Sequence, residues 1–178
     1  MNALELFCFH FAAGAGSGRP STYVSTSASE AEVKTGIENI GGNPANVKIV
    51  VLPSGKSWDP PSIPKGHRYV LDSFSQYCLA VGWDKAYSRL EEFKKQIRAT
   101  GDTNLLIVVT PALLTDKELA LLKLWADGVL ELGLDRQGFG LYPYLKVTKM
   151  RGVPDSSRFL LFKETERGLF MESTRRVF

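Results

Sequence analysis

The chain has 178 residues, enough for one domain with a sizeable core. Hydrophobic residues at 44% and charged residues at 23% are ordinary for a soluble globular protein and exclude a disordered or fibrous composition. A net charge of +3 is too small to argue for nucleic acid by itself.

In chain order, Ala3 to Ala15 reads as a helix that is apolar nearly all round and therefore buried, with Gly16-Ser17-Gly18 as its stop. Ser21 to Ser25 reads as a short strand. Ser29-Glu30-Ala31-Glu32 is a capping box, and Val33, Ile37 and Ile40 follow at helical spacing before Gly41-Gly42. Val47 to Leu52 is the next strand. Pro53 to Gly66 carries four prolines and two glycines, which exclude regular structure. Arg68 to Asp72 is a short apolar run that ends on a carboxylate, the pattern of a buried parallel strand. Asp84 to Thr100 is an amphipathic helix with Tyr87, Leu90, Phe93 and Ile97 on one face. Asn104 to Thr110 is a buried strand. Thr115 to Glu118 is a second capping box, opening a Leu-rich helix that ends near Trp125. Gly128 to Leu132 is another strand.

After the glycines at 133, 138 and 140 the pattern changes. Tyr142 to Lys149 and Arg158 to Lys163 are strands with no helix between them, joined by the turn Gly152-Val153-Pro154-Asp155. Glu166-Arg167-Gly168 turns the chain into a last short strand. Alternating strands and helices predict a parallel α/β sheet with right-handed crossovers, and the closing strands predict an antiparallel extension at one end of it.

Little raw material exists for several chemistries. Cys8 and Cys78 stand alone, which fits a reducing cytoplasm and no metal site. His10 and His67 are the only histidines, which leaves almost no raw material for a zinc site or a Ser-His-Asp triad. The N-terminal apolar run contains Glu5 and lacks a basic flank, so it is a poor signal peptide. No apolar run approaches the roughly 18 residues of a membrane span. From Tyr142 onward there are eight Lys/Arg against four Asp/Glu, a basic C-terminal fifth.

Asp72 holds the attention because parallel sheets bind ligands beyond the carboxyl ends of their strands. The plain alternative is a strand end whose polar residues cap the next helix. Further along, Gly55-Lys56-Ser57 looks like the end of a phosphate loop, but Val50 stands where the first glycine belongs and Trp58-Asp59-Pro60-Pro61 forbids the helix that must follow.

Five stretches, taken together, resemble one family. They are the turn Gly18-Arg19-Pro20 into the strand at Ser21, the strand Tyr69-Val70-Leu71-Asp72-Ser73, the strand Ala126 to Leu132, the hairpin Lys149-Met150-Arg151-Gly152, and the closing turn Glu164 to Leu169. In this order and spacing, from about Ala3 to Phe170, the chain resembles the KaiC-like branch of the RecA-type ATPases. The resemblance implies ATP and Mg²⁺ as cofactors. It makes Asp72, with Ser73, the remnant of the Walker B site, and makes Lys149 and Arg151 contacts to a neighbouring subunit or an anion.

The same alignment implies losses. The Lys-Thr of the family's phosphate loop would fall near Ala3 and Leu4, and its opening strand would precede Met1. The acidic residues that serve as base on the attacking water correspond to Ser27 and Ala28.

The expectations are therefore as follows. Residues 1–178 form one α/β domain with a RecA-like three-layer core, a mostly parallel sheet and an antiparallel C-terminal extension. The strand at 104–110 pairs directly with that at 128–132, giving a narrowed sheet. The function is that of a catalytically inactive KaiC/RecA-like relative in the cytoplasm, with no catalytic residue of its own. It acts as a regulatory or assembly partner, as a homo-oligomer or with an active ATPase of this kind, and as a nucleotide sensor at best. Two alternatives stand beside it: an active ATP-binding enzyme with an atypical phosphate loop at Lys56, or a DNA-associated recombinase paralogue using the basic residues 146–176.

Overall fold

The computed structural model describes residues 2–14, 18–53, 55–56, 58–59, 63–137, 140–153, 158–165 and 168–171. The turns expected at 154–155 and 166–167, the glycine-rich residues 15–17, Ser57 and the basic residues 175–176 lie outside them.

Four strands form an all-parallel sheet in the order β2-β1-β3-β4. They are β1 (Ser21–Ser25), β2 (Val47–Val51), β3 (Arg68–Asp72) and β4 (Asn104–Ile107). The pleat sends alternate residues to opposite faces. Tyr23, Val70 and Val108 pack with Phe9 and Ala12 of α1 (Ala3–Ala13) and with Val33 and Ile37 of α2 (Glu30–Asn39). Val24, Tyr69 and Leu71 pack on the other face with α3 (Phe74–Val81), α4 (Trp83–Thr100) and α5 (Asp116–Trp125), through Phe74, Leu90, Phe93 and Leu122. This is the three-layer core. Each fully buried apolar side chain in it contributes on the order of 1.5–3 kcal/mol.

The helix boundaries follow the capping residues. Ser29 and Thr115 each accept from the backbone of a Glu three residues on, and the Glu side chain returns the bond. The loop after β2 is held by one aromatic anchor. The Trp58 ring lies 4.8 Å from that of Phe93 at a tilt of 54°, and the Trp58 backbone N–H donates to the Tyr77 hydroxyl at 2.9 Å.

Helix α3 was not among the expected elements. Its eight residues are too few for a clear period, yet they bury Phe74, Tyr77 and Cys78 on one side. Gly82, at φ 88°, separates it from α4.

The second sheet corrects two expectations. It is antiparallel, in the order β5-β6-β7-β8, built from β5 (Gly128–Gln137), β6 (Gly140–Met150), β7 (Arg158–Thr165) and β8 (Gly168–Met171). The strand at 128–132 thus belongs to this sheet and not to the parallel one. Nor does it pair with the strand at 104–110. β5 pairs along its whole length with β6, from Gly128 opposite Met150 to Gln137 opposite Gly140. Among the described residues, the free edges of β4 and β5 stay unpaired. The expected pairing rested on the cost of unpaired edges in an interior. Leu105, Leu106, Ile107, Val129 and Leu132 are only partly buried, so water reaches those edges and lifts that cost.

The glycine at 133 is also not a stop. It lies inside β5 opposite Tyr144, and a Cβ there would come within 2.6 Å of the Tyr144 ring. The aromatic ring needs the space that glycine leaves.

Candidate functional site

The site is built at the carboxyl edge of the parallel sheet. Ser25 of β1 lies in register with Asp72 of β3, so the two strands end together. Thr26 joins their ends: its N–H donates to the Asp72 carbonyl at 2.7 Å, and its hydroxyl accepts from the Ser73 N–H at 2.9 Å. The Asp72–Ser73 peptide bond is cis. Ser73 is the N-cap of α3, its hydroxyl accepting from the Gln76 N–H.

A cavity of about 450 Å³ opens beside this edge, walled by α1, α2 and the ends of β1 and β3. Glu5 and Phe9 come from α1, Glu32 and Gly36 from α2, and Tyr23, Ser27, Ala28 and Asp72 from the sheet edge. Three carboxylates face it, and no Lys or Arg is among the described residues that line it.

Each carboxylate already has a partner. The Tyr23 hydroxyl donates to Asp72 Oδ2 at 2.5 Å. Burial raises the Asp72 carboxyl above the ordinary range, the Tyr23 hydrogen bond opposes that, and Glu5 adds to it. Burial, reinforced by Asp72, pushes the Tyr23 hydroxyl and the Cys8 thiol far up. Glu5 accepts from the Asn2 N–H at 2.8 Å, while Asn2 accepts from the Glu5 N–H at 3.0 Å. Glu32 accepts from the N–H and the hydroxyl of Ser29 at 2.8 and 2.7 Å, which holds its carboxyl below the usual range.

These bonds decide what the cavity can hold. A helix N-terminus attracts phosphate through its free N–H groups and its dipole. The N-terminus of α1 is closed by its own capping box, whose anion is Glu5. A triphosphate placed there would meet three carboxylates and no Lys or Arg among the described lining residues, an arrangement that repels its charge. The residues therefore do not fit ATP as a phosphate loop does. Nor do they form a metal cage, since no cluster of three or more His, Cys, Asp or Glu suited to a cation occurs among the described residues.

A second cavity, of about 320 Å³, lies on the α3 side of the same edge. Lys56, Thr26, Gln76 and Tyr77 line it, together with Leu79 and Ala80. The loop after β2 thus carries Lys56 to the cavity that Thr26 and Gln76 line.

Lys149 and Arg151 are placed elsewhere. Lys149 Nζ donates to the carbonyls of Lys123 and Leu124 at 2.9 and 3.0 Å, closing the C-terminus of α5. Arg151 pairs with Asp127 at 2.8 Å, and its N–H donates to the Asp127 carbonyl at 2.7 Å. Neither lines either cavity. Of the residues singled out in the sequence, Asp72 and Ser73 come together at the edge. Tyr23, Glu5 and Glu32 were missed. The signal for the two glutamates was present in their capping boxes; Tyr23 carried only the hint of a hydroxyl two residues before a strand end.

Solved structures match this chain, among them two that cover nearly all of it. A KaiC-like protein from the hyperthermophilic archaeon Pyrococcus horikoshii OT3 shares 18% identity over 93% of this chain and 80% of its own, with a TM-score of 0.66. The flagellar accessory protein FlaH from Methanocaldococcus jannaschii shares 17% identity over 97% of this chain and 85% of its own, with a TM-score of 0.74. The fold is RecA-like. No family model matches the sequence, and no curated protein does. Asp72 is the last residue of β3 in this parallel sheet. No helix among the described residues is long and apolar enough to cross a membrane.

Proposed function

We propose that this chain is a non-hydrolysing member of the RecA-like fold that works by binding a protein partner, in a regulatory or assembly role. The observation that carries the reading is the acidic cavity beside Asp72: Glu5, Glu32 and Asp72 face it, and α1 is capped by its own Glu5. The family resemblance supports it by aligning Ala3 and Leu4 with the phosphate-gripping Lys-Thr. The same resemblance aligns Ser27 and Ala28 with the base, and neither takes a proton from water. One structural neighbour is named a flagellar accessory protein.

The test is calorimetric titration of the purified chain with Mg-ATP, run beside a phosphate-release assay. The expected outcome is no turnover, and no binding that responds to Asp72→Ala. Steady ATP hydrolysis abolished by Asp72→Ala would overturn the proposal.

A second reading has one observation in its favour, the position of Lys56 beside Thr26 and Gln76. It makes the chain a nucleotide-binding enzyme with an atypical phosphate contact. ATP binding that is lost in Lys56→Ala while Asp72→Ala retains it selects this reading.

A further inference from the structure

The cavity on the α3 side of the sheet edge differs in character from the acidic one beside Asp72. Gln76, Leu79 and Ala80 stand three and four residues apart on α3, so they share one face of that helix. Leu52, the residue after β2, lines the cavity with them. Leu79 is 66% exposed, an apolar side chain left at the mouth of a cavity instead of in the core. No Asp or Glu is among the described residues that line it, and Lys56 is the one charged group among them.

The hydrogen bonds decide which polar side chains are open to a ligand. The Thr26 hydroxyl accepts from the Ser73 N–H at 2.9 Å. Its single proton has Gln76 Oε1 at 3.1 Å and the carbonyls of Asp72 and Ser73 at 3.3 and 3.4 Å, so Thr26 is fully engaged. The Tyr77 hydroxyl is engaged as well, by the Trp58 N–H. Oε1 of Gln76 faces Thr26, which leaves the amide N–H groups on the other branch of that side chain. Among the described bonds, neither that amide nor the Lys56 ammonium has an acceptor. Lys56 is itself held in place. Its backbone N–H donates to the Pro53 carbonyl at 3.1 Å, across a turn in which Gly55 takes φ 77°. The open side-chain groups of the wall are therefore donors, one of them charged, and apolar residues surround them.

We propose that this cavity binds a carboxylate carried on a short apolar body. A carboxylate presents two acceptor oxygens, and Gln76 and Lys56 present a neutral and a charged donor to them. One positive charge matches a monoanion. A triphosphate bears several negative charges and needs more cations than Lys56 supplies. The body of the ligand lies along Leu52, Leu79 and Ala80, which takes the exposed face of Leu79 out of water. The volume of about 320 Å³ is at the lower end of small-ligand sites, so the body is limited to a few carbons. A free short-chain acid and the C-terminal residue of a polypeptide present the same group. This inference goes beyond the binding role proposed above and does not depend on the acidic cavity beside Asp72.

The test titrates the full chain with isocaproate, which is the carbon skeleton of leucine without its amino group, and with a short peptide ending in leucine. The NMR shifts of the Gln76 and Leu79 amides report binding. Isocaproamide and the same peptide with an amidated C-terminus are the uncharged controls. The expected result is saturable shifts with the carboxylates. Binding weakens about tenfold or more with the amide controls, and likewise in Lys56→Met, as loss of a charge-assisted hydrogen bond requires. Leu79→Ser weakens both carboxylates by removing the apolar contact. The tighter of the two carboxylates names the source. Amide controls that bind as tightly as the acids overturn the proposal, and so does Lys56→Met binding unchanged. The absence of a saturable shift with either carboxylate overturns it too. Displacement of isocaproate by Mg-ATP also overturns it and selects the nucleotide reading of Lys56.

Discussion

Tyr23 shows how one side chain sets the character of the site. It lies on a strand whose five residues are all buried, and its hydroxyl is the only donor to the Asp72 carboxyl among the bonds described. Tyr23→Phe leaves a buried carboxylate without that donor, which costs about 1–3 kcal/mol at neutral pH. Because the Tyr23 bond lowers the Asp72 pKa, its loss raises it further. The variant therefore binds the Asp72 proton more readily when folded, and its deficit shrinks as pH falls. Urea unfolding of both proteins at neutral and acid pH measures this; a deficit that grows on acidification would refute it. His67 gives the opposite sign. It is buried between Thr22, whose hydroxyl is 2.9 Å from Nε2, and the Tyr69 ring. Burial, with Arg68 and Lys48, holds its pKa below 6.5. The unfolded chain then takes up the proton first, so stability falls as pH drops through 6.5. His67→Gln flattens that part of the stability curve, as thermal unfolding across the same range checks.

At the scale of elements, the cavity wall depends on how closely α1 and α2 approach. Gly36 of α2 lies against Phe9 of α1, and a Cβ at Gly36 would come within 2.3 Å of the ring. Gly36→Ala gains helix propensity worth up to about 1 kcal/mol. It also forces two packed helices apart, at a cost of roughly 1–3 kcal/mol. Packing wins, because Phe9 is 6% exposed and has nowhere to turn. A net loss of stability is expected in chemical denaturation, and a stabilised Gly36→Ala would show that the helices yield. The same pair illustrates what the sequence could reveal. The capping boxes at Ser29 and Thr115 placed two helix starts, since a cap is written in residues three apart. The runs Arg68 to Asp72 and Asn104 to Thr110 were readable because strands buried on both faces are continuous apolar runs, though the second strand stops at Ile107, three residues short of its reading. Helix α3 was not, being shorter than the window in which a helical period shows. Nor was the true length of β5: Gly133 reads as a stop unless one knows that the Tyr144 ring lies across from it.

At the scale of the whole molecule, the sequence could not say to which sheet β5 belongs. That choice depends on long-range hydrogen bonds, and local pattern allows either. The structure ties β5 and β6 to α5 through Lys149 and Arg151, the two residues that the family resemblance assigned to a neighbouring subunit. The two roles predict different results. If the pair acts within the chain, Lys149→Met with Arg151→Met removes two bonds to the end of α5 and one ion pair with Asp127. The ion pair is more than half exposed and is worth at most about 1 kcal/mol. The bonds to the helix carbonyls add on the order of 1 kcal/mol. A total loss of about 1–2 kcal/mol follows, with hydrogen exchange rising first at the α5–β5 junction and in β6, while β1 and β3 keep their protection. If the pair instead serves a neighbour, stability stays unchanged and the assembly state shifts. Denaturation, exchange and light scattering on the one double variant separate these outcomes. The bonds already made inside the chain favour the first, because a lysine holding two helix carbonyls must release them before it can reach another subunit.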